Sequence, residues 1–145
     1  MNKYETIQSM DARDGTHVRQ LRAEKRSAYF IGKESDVVGV RVHDYDYSKG
    51  IQATFYWPTR LYASPSFYKL DSQIYDDEET GLSSVSADFK NFDTIKIGPH
   101  KIICRDIVWG QGIFVVISKE PFNIEQVDPD QDMVDQLLSR QEASV

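Results

Sequence analysis

Two short constellations carry the residue types needed to hold a phosphorylated purine. Arg22 and Arg26 stand four apart in Arg-Ala-Glu-Lys-Arg, and twenty residues later comes Asp46-Tyr-Ser48-Lys-Gly50. A guanidinium fork matches two acceptors on one edge, such as guanine O6 and N7 or two phosphate oxygens. Its plane also stacks on a base. The Asp46 carboxylate and the Ser48 hydroxyl can accept from the N1–H and N2 amino edge of guanine. Gly50 lets the backbone approach closely, and Tyr45 and Tyr47 offer stacking faces beside the arginines. The plainer alternative stays open at this point. Arg22 and Arg26 then pair with Asp14, Glu24 or an acidic loop, and Asp46 and Ser48 only cap a turn through their side chains.

Other chemistry is less well supplied. Cys104 is the single cysteine, which excludes an intramolecular disulfide and a multi-cysteine zinc site. It lies in an alternating stretch on the side of Ile102 and Val108, so a packed thiol is expected rather than a nucleophile. His17, His43 and His100 are far apart in sequence. His43-Asp44-Tyr45-Asp46 holds potential metal ligands with nothing to complete the set. No glycine-rich phosphate loop and no Gly-x-Ser-x-Gly occurs. The acids at positions 76–79 sit in a polar stretch, where carboxylates keep ordinary pKa values. The chain is therefore not expected to be an enzyme, and no metal or resident cofactor is expected.

The elements that must position the two constellations read mainly as β-structure. Residues 27–31 form a short apolar run. Val38, Val40 and Val42 alternate with smaller or polar residues, as do Ile51, Ala53, Phe55 and Trp57 until Pro58. Ile95 and Ile97 continue the pattern, and residues 102–109 and 113–118 form a hairpin around Gly110 and Gly112. Residues 3–26 are expected to lack strands, with a short helix over 4–10 and loop from Asp14-Gly15. The acidic stretch 76–86 is expected as an exposed loop. Met133, Val134, Leu137 and Leu138 have helical spacing after Pro129, which predicts an amphipathic helix over 130–141. Six strands and one helix predict a small six-stranded antiparallel β-barrel with a C-terminal α-helix.

The order and spacing of these motifs against the strands resemble the PilZ domain family, whose signatures are RxxxR followed by [D/N]xSxxG. Arg22 and Arg26 meet the first in full, and Asp46 and Ser48 meet the start of the second. Gly50 then stands one residue early, and Ile51 occupies the family's glycine position. The last hairpin, with Trp109 before its turn, also looks like the family's. The resemblance spans about residues 20–140. It implies a barrel over residues 20–128, preceded by an arm or short helix over 1–19 and followed by a helix and tail over 129–145. It implies a cyclic di-GMP receptor in signalling, with Arg22, Arg26, Asp46, Ser48 and Gly50 as ligand contacts. The basic arm would order on the ligand, and a protein partner would read the altered surface. The alternatives are a PilZ-like adaptor that has lost the nucleotide, or an unrelated β-barrel binding protein.

Charge sharpens the choice of ligand. The 145 residues suit about one domain, and their net charge is −6. Residues 13–26 hold five bases against two acids, a net of +3. Residues 71–93 and 120–142 each hold seven acids against one base, a net of −6 apiece. Such a surface disfavours a long nucleic acid, whereas one basic segment still accommodates a compact dinucleotide. No apolar run approaches the roughly 20 residues of a membrane span, and the N-terminus lacks a signal peptide's apolar core. A cytoplasmic location without membrane insertion is expected.

Overall fold

The computed structural model describes residues 7–11, 13–44, 49–61, 65–68, 70 and 72–142. Twelve strands and one helix follow in order: β1 (Ile7–Asp11), β2 (His17–Ala23), β3 (Ala28–Lys33), β4 (Asp36–Val42), β5 (Ile51–Pro58), β6 (Ser66–Tyr68), β7 (Tyr75–Asp77), β8 (Leu82–Phe89), β9 (Thr94–Ile97), β10 (His100–Val108), β11 (Gln111–Ser118), β12 (Asn123–Gln126) and α1 (Met133–Glu142). They build two antiparallel six-stranded sheets. One runs β1-β2-β11-β10-β9-β6 and the other β12-β3-β4-β5-β8-β7. The fold is mainly β with one C-terminal helix, but it has twice the strands expected. Among the described residues, no strand pairing joins the two sheets into a closed barrel.

Period-2 alternation explains how the sheets face one another. Val38, Val40 and Val42 of β4 and Ile51, Ala53, Phe55 and Trp57 of β5 point into one cluster with Leu21, Ile95, Ile102, Cys104 and Phe114 of the opposite sheet. At its centre the rings of Phe55, Phe89 and Phe114 meet edge-to-face, with centroids 5.4, 5.5 and 5.6 Å apart. Such aromatic contacts add about 0.5–1.5 kcal/mol each beyond area burial.

The other face of the β4–β5 sheet is partly covered by α1. Met133 and Leu137 pack with Ala28, Phe30, Val37 and Leu82. Gly39 makes this close approach possible, since a Cβ there would lie 2.8 Å from Met133 Sδ and 3.1 Å from a Leu137 methyl. Asp132 caps the helix by accepting from the Val134 and Asp135 N–H groups at 2.8 and 3.2 Å. Arg140 pins the far end through Glu125 at 2.7 Å and lies over the Phe30 ring.

Three expectations need correction. Residues 7–10, expected in a helix, belong to β1, whose partner β2 runs through the basic segment expected to be loop. β2 forms because it fills the gap between β1 and β11, pairing with both. Much of stretch 76–86 is strand, because β8 pairs with β5 along its whole length. Its serines gave no apolar signal. Their hydroxyls are satisfied across strands, Thr54 to Ser86 at 2.7 Å and Thr59 to Ser83 at 2.6 Å. Val108 does not share the buried side of Ile102 and Cys104. A bulge between Arg105 and Val108 inserts one residue, with Asp106 at φ 56°, and turns Val108 outward.

Candidate functional site

The chain crosses between sheets at a tight corner after β2. The Ser27 N–H donates to the Glu24 carbonyl at 3.1 Å, and the Ser27 hydroxyl donates to the same oxygen at 2.7 Å. Arg26 sits in this corner at φ 65°, a left-handed conformation uncommon for a side-chain-bearing residue. Its N–H donates to the Val42 carbonyl at 3.0 Å, and the Val42 N–H donates to the Ser27 carbonyl at 2.9 Å. The corner is therefore stitched to the end of β4, where the connection to β5 departs. Asp46, Ser48, Tyr45 and Tyr47 lie in that connection, outside the described residues.

Each arginine meets a carboxylate. Arg22 Nη1 stands 3.2 Å from Glu24 Oε1, and Arg26 Nη2 contacts Asp130 Oδ1. Asp14, the other acid considered as a partner, instead meets Lys119 at 3.1 Å. All four side chains of the two arginine pairs are more than one-third exposed, so a competing anion displaces such contacts at little cost.

Gly50 is buried, and its need for glycine has a structural cause. A Cβ there would fall 2.4 Å from the Phe89 carbonyl oxygen and 2.6 Å from Asp88 Oδ1. The tight approach is to the end of β8, through backbone that cannot move aside.

Trp109 had no role in the sequence pattern beyond its place before a hairpin turn. Trp109 and Gly110, at φ 55° and 75°, form the two-residue turn between the paired Val108 and Gln111. Two positive φ angles make the mirror-image turn that suits a twisted hairpin. Placed at the tip, the indole is 93% exposed. It shares a cleft of about 330 Å³ with Arg22, Asp106, Val108, Gln111 and Ile113, because Arg22 lies opposite Ile113 in the β2–β11 ladder. The available signal was Trp-Gly at the turn itself, where a large ring has no core to enter.

A second cleft, of about 550 Å³, lies on the outer face of the β4–β5–β8 ladder. His43, Gln52, Thr54, Tyr56, Ser86 and Asp88 line it. His43 Nε2 and Thr54 Oγ1 are 2.7 Å apart, and Thr54 in turn meets Ser86. Burial, and then the Arg41 charge, push the His43 imidazole below its usual pKa.

Groups with nucleophilic or metal-binding potential are otherwise quiet. Burial pushes the Cys104 thiol up to about 12, aided by Asp93 and Asp88. At neutral pH it is therefore not a thiolate. No group of three metal-ligating side chains occurs among the described residues, and Asp46 of the sequence cluster lies outside them. No described helix is long and apolar enough to cross a membrane.

No protein-family model, curated protein or solved structure matches the chain.

Proposed function

We propose that the protein is a cyclic di-GMP receptor with a PilZ-type barrel, acting through a changed interaction surface rather than by catalysis. The observation that carries this reading is the backbone bond from Arg26 to Val42. It anchors the second arginine of RxxxR at the root of the connection bearing Asp46 and Ser48. The bond joins Arg26 to a residue sixteen positions on, at the strand end from which that connection departs. Arg22 adds a guanidinium beside an exposed indole, a pairing suited to a planar base between them. Trp109 takes the stacking role first considered for Tyr45 or Tyr47.

In this mechanism Arg22 and Arg26 exchange Glu24 and Asp130 for the phosphates and guanine edges of the ligand. Asp46 and Ser48 close on one guanine. Gly50 contributes by holding the connection against β8, not by touching the ligand. Releasing Asp130 loosens the segment leading into α1, so the helix and its surroundings present a different surface to a protein partner in the cytoplasm.

Calorimetric titration with cyclic di-GMP tests the reading. A saturable heat is expected in the intact chain and a loss of at least tenfold in affinity in Arg22→Ala and Arg26→Ala. No heat at millimolar ligand, or unchanged affinity in both variants, would sink it.

One set of observations favours a second reading, an adaptor that works by protein contact alone. Both arginines already have carboxylate partners, and Gly50 is committed to packing. A chain that captures a protein partner equally with and without the nucleotide would establish that alternative.

A further inference from the structure

The β10–β11 hairpin departs from regular pairing just below its tip. Arg105 pairs with Ile113 and Val108 with Gln111, so Asp106 and Ile107 together oppose Gly112. Asp106 takes the extra place in a left-handed conformation, φ 56°, which aspartate tolerates better than most residues. The irregularity is built in from both sides. The Ile107 N–H finds its acceptor outside the ladder, donating to Asn91 Oδ1 at 3.1 Å. Gly112 leaves the room, since a Cβ there would lie 3.0 Å from the Arg105 carbonyl oxygen and 3.2 Å from an Ile107 side-chain carbon. Bulges of this kind re-aim a side chain beside a binding site.

The re-aimed side chain is a carboxylate, and it lines the 330 Å³ cleft with Arg22, Trp109 and Gln111. That volume is at the small end of ligand clefts, about 300–1,000 Å³, and suits one base rather than a whole dinucleotide. Trp109 and Arg22 supply planar groups for the two faces of a base. Neither plane reads its edge. A carboxylate does, because its two acceptor oxygens match the adjacent N1–H and N2 amino donors of guanine. Adenine places a bare N1 acceptor there, which a carboxylate repels. Gln111 adds an amide able to donate to O6 on the same guanine edge.

Asp106 also meets Arg105 Nε at 3.1 Å. Both side chains are about half exposed, so the contact is weak. A carboxylate accepts at about four sites, which leaves capacity for a base. The Arg105 charge also offsets repulsion between Asp106 and the phosphates of a nucleotide.

We propose that Asp106 is the specificity residue of a guanine subsite, selecting guanine over adenine for the base held between Arg22 and Trp109. The inference rests on the function proposed above and deepens it. Asp46 and Ser48 close on one guanine of the dinucleotide, and Asp106 reads the other.

The test compares cyclic di-GMP, cyclic di-AMP, GMP and AMP on the full chain, by calorimetry and by quenching of the exposed Trp109. The intact chain should prefer each guanine ligand to its adenine counterpart by about tenfold or more. Asp106→Asn keeps the side-chain shape, tolerates the positive φ and turns one acceptor into a donor. It should lose about tenfold in affinity for the guanine ligands and gain a few-fold for the adenine ligands, whose N1 accepts and whose N6 donates. A merely structural role would weaken both alike. Thermal melts check folding. Should Asp106→Asn fail to fold, Asp106→Gly, which adopts this φ freely, should bring the preference close to one.

If GMP quenches Trp109 in preference to AMP and an Asp106 variant removes that preference, while cyclic di-GMP binds no better than GMP, the subsite stands and the dinucleotide reading falls. If cyclic di-GMP binds through Arg22 and Arg26 but the guanine preference survives in the Asp106 variants, the subsite falls and the dinucleotide reading stands. A Trp109 signal that responds to neither guanine ligand overturns the subsite as well.

Discussion

Arg26 and Asp130, 104 residues apart, meet between the β2–β3 corner and the segment leading into α1. Their side chains are 54% and 68% exposed, so the pair contributes at most about 1 kcal/mol. That is enough to compete measurably with a ligand for the same guanidinium. Asp130→Asn should tighten cyclic di-GMP binding by about two- to fivefold. Calorimetry should show the gain shrinking at high salt, where exposed charges are screened. Equal affinity in the variant at low salt would exclude competition by Asp130.

Trp109 and Trp57 divide the fluorescence of the protein cleanly. Trp57 is 1% exposed and Trp109 is 93% exposed. Acrylamide should quench essentially one of them, and cyclic di-GMP should protect that one. Trp109→Phe should abolish both effects and leave the thermal midpoint nearly unchanged, because the ring touches little. Quenching that persists at full strength with saturating ligand would separate Trp109 from the site.

The Phe55–Phe89–Phe114 group joins the two sheets. Phe114→Ala removes a fully buried ring and leaves a cavity, at a cost of about 3–5 kcal/mol. Urea unfolding should show a lower midpoint with little change in slope. A loss below about 1 kcal/mol would mean that the sheets are not held together there.

Gly50→Ala should destabilise by about 1–3 kcal/mol, because the new methyl meets the Phe89 carbonyl rather than a yielding side chain. Thermal melts should report the loss with or without ligand. A variant of wild-type stability that no longer binds cyclic di-GMP would instead return Gly50 to the ligand contacts.

His100 links stability to pH. Its imidazole is buried against Phe122, its Nδ1 has no partner among the described residues, and burial pushes its pKa from 6.5 to about 4. The folded state therefore prefers neutral histidine. Between these values the unfolded chain binds a proton that the folded chain refuses, so unfolding gains as pH falls. The His100 contribution is intact above about pH 6.5 and declines towards pH 4, by up to roughly 3 kcal/mol. Urea midpoints at about pH 7.5 and 4.5 should fall further in the intact chain than in His100→Gln, which lacks the titration. Parallel losses in both proteins would count against this assignment.

The amino-acid pattern alone was sufficient for the elements whose two sides differ. β4 and β5 follow the alternation from Val38 to Trp57. The helix expected over 130–141 is Met133–Glu142, since a stripe of Met133, Leu137 and their neighbours has one way to bury itself. β2 and β8 were hidden because their stability comes from strands on both sides and from hydroxyl pairs, not from their own apolar content. The spacing of Arg22 and Arg26 likewise identified candidate groups without saying what they face. Strand pairing decided that Arg22 lies across from Ile113 and beside Trp109, some ninety residues away. The corner hydrogen bond decided that Arg26 stands at the foot of the Asp46–Ser48 connection. The bulge that brings Asp106 into the Trp109 cleft had no signal in sequence at all. Composition and periodicity report which side of an element is apolar. Which polar groups meet depends on register between distant strands, and that exists only once the sheets have formed.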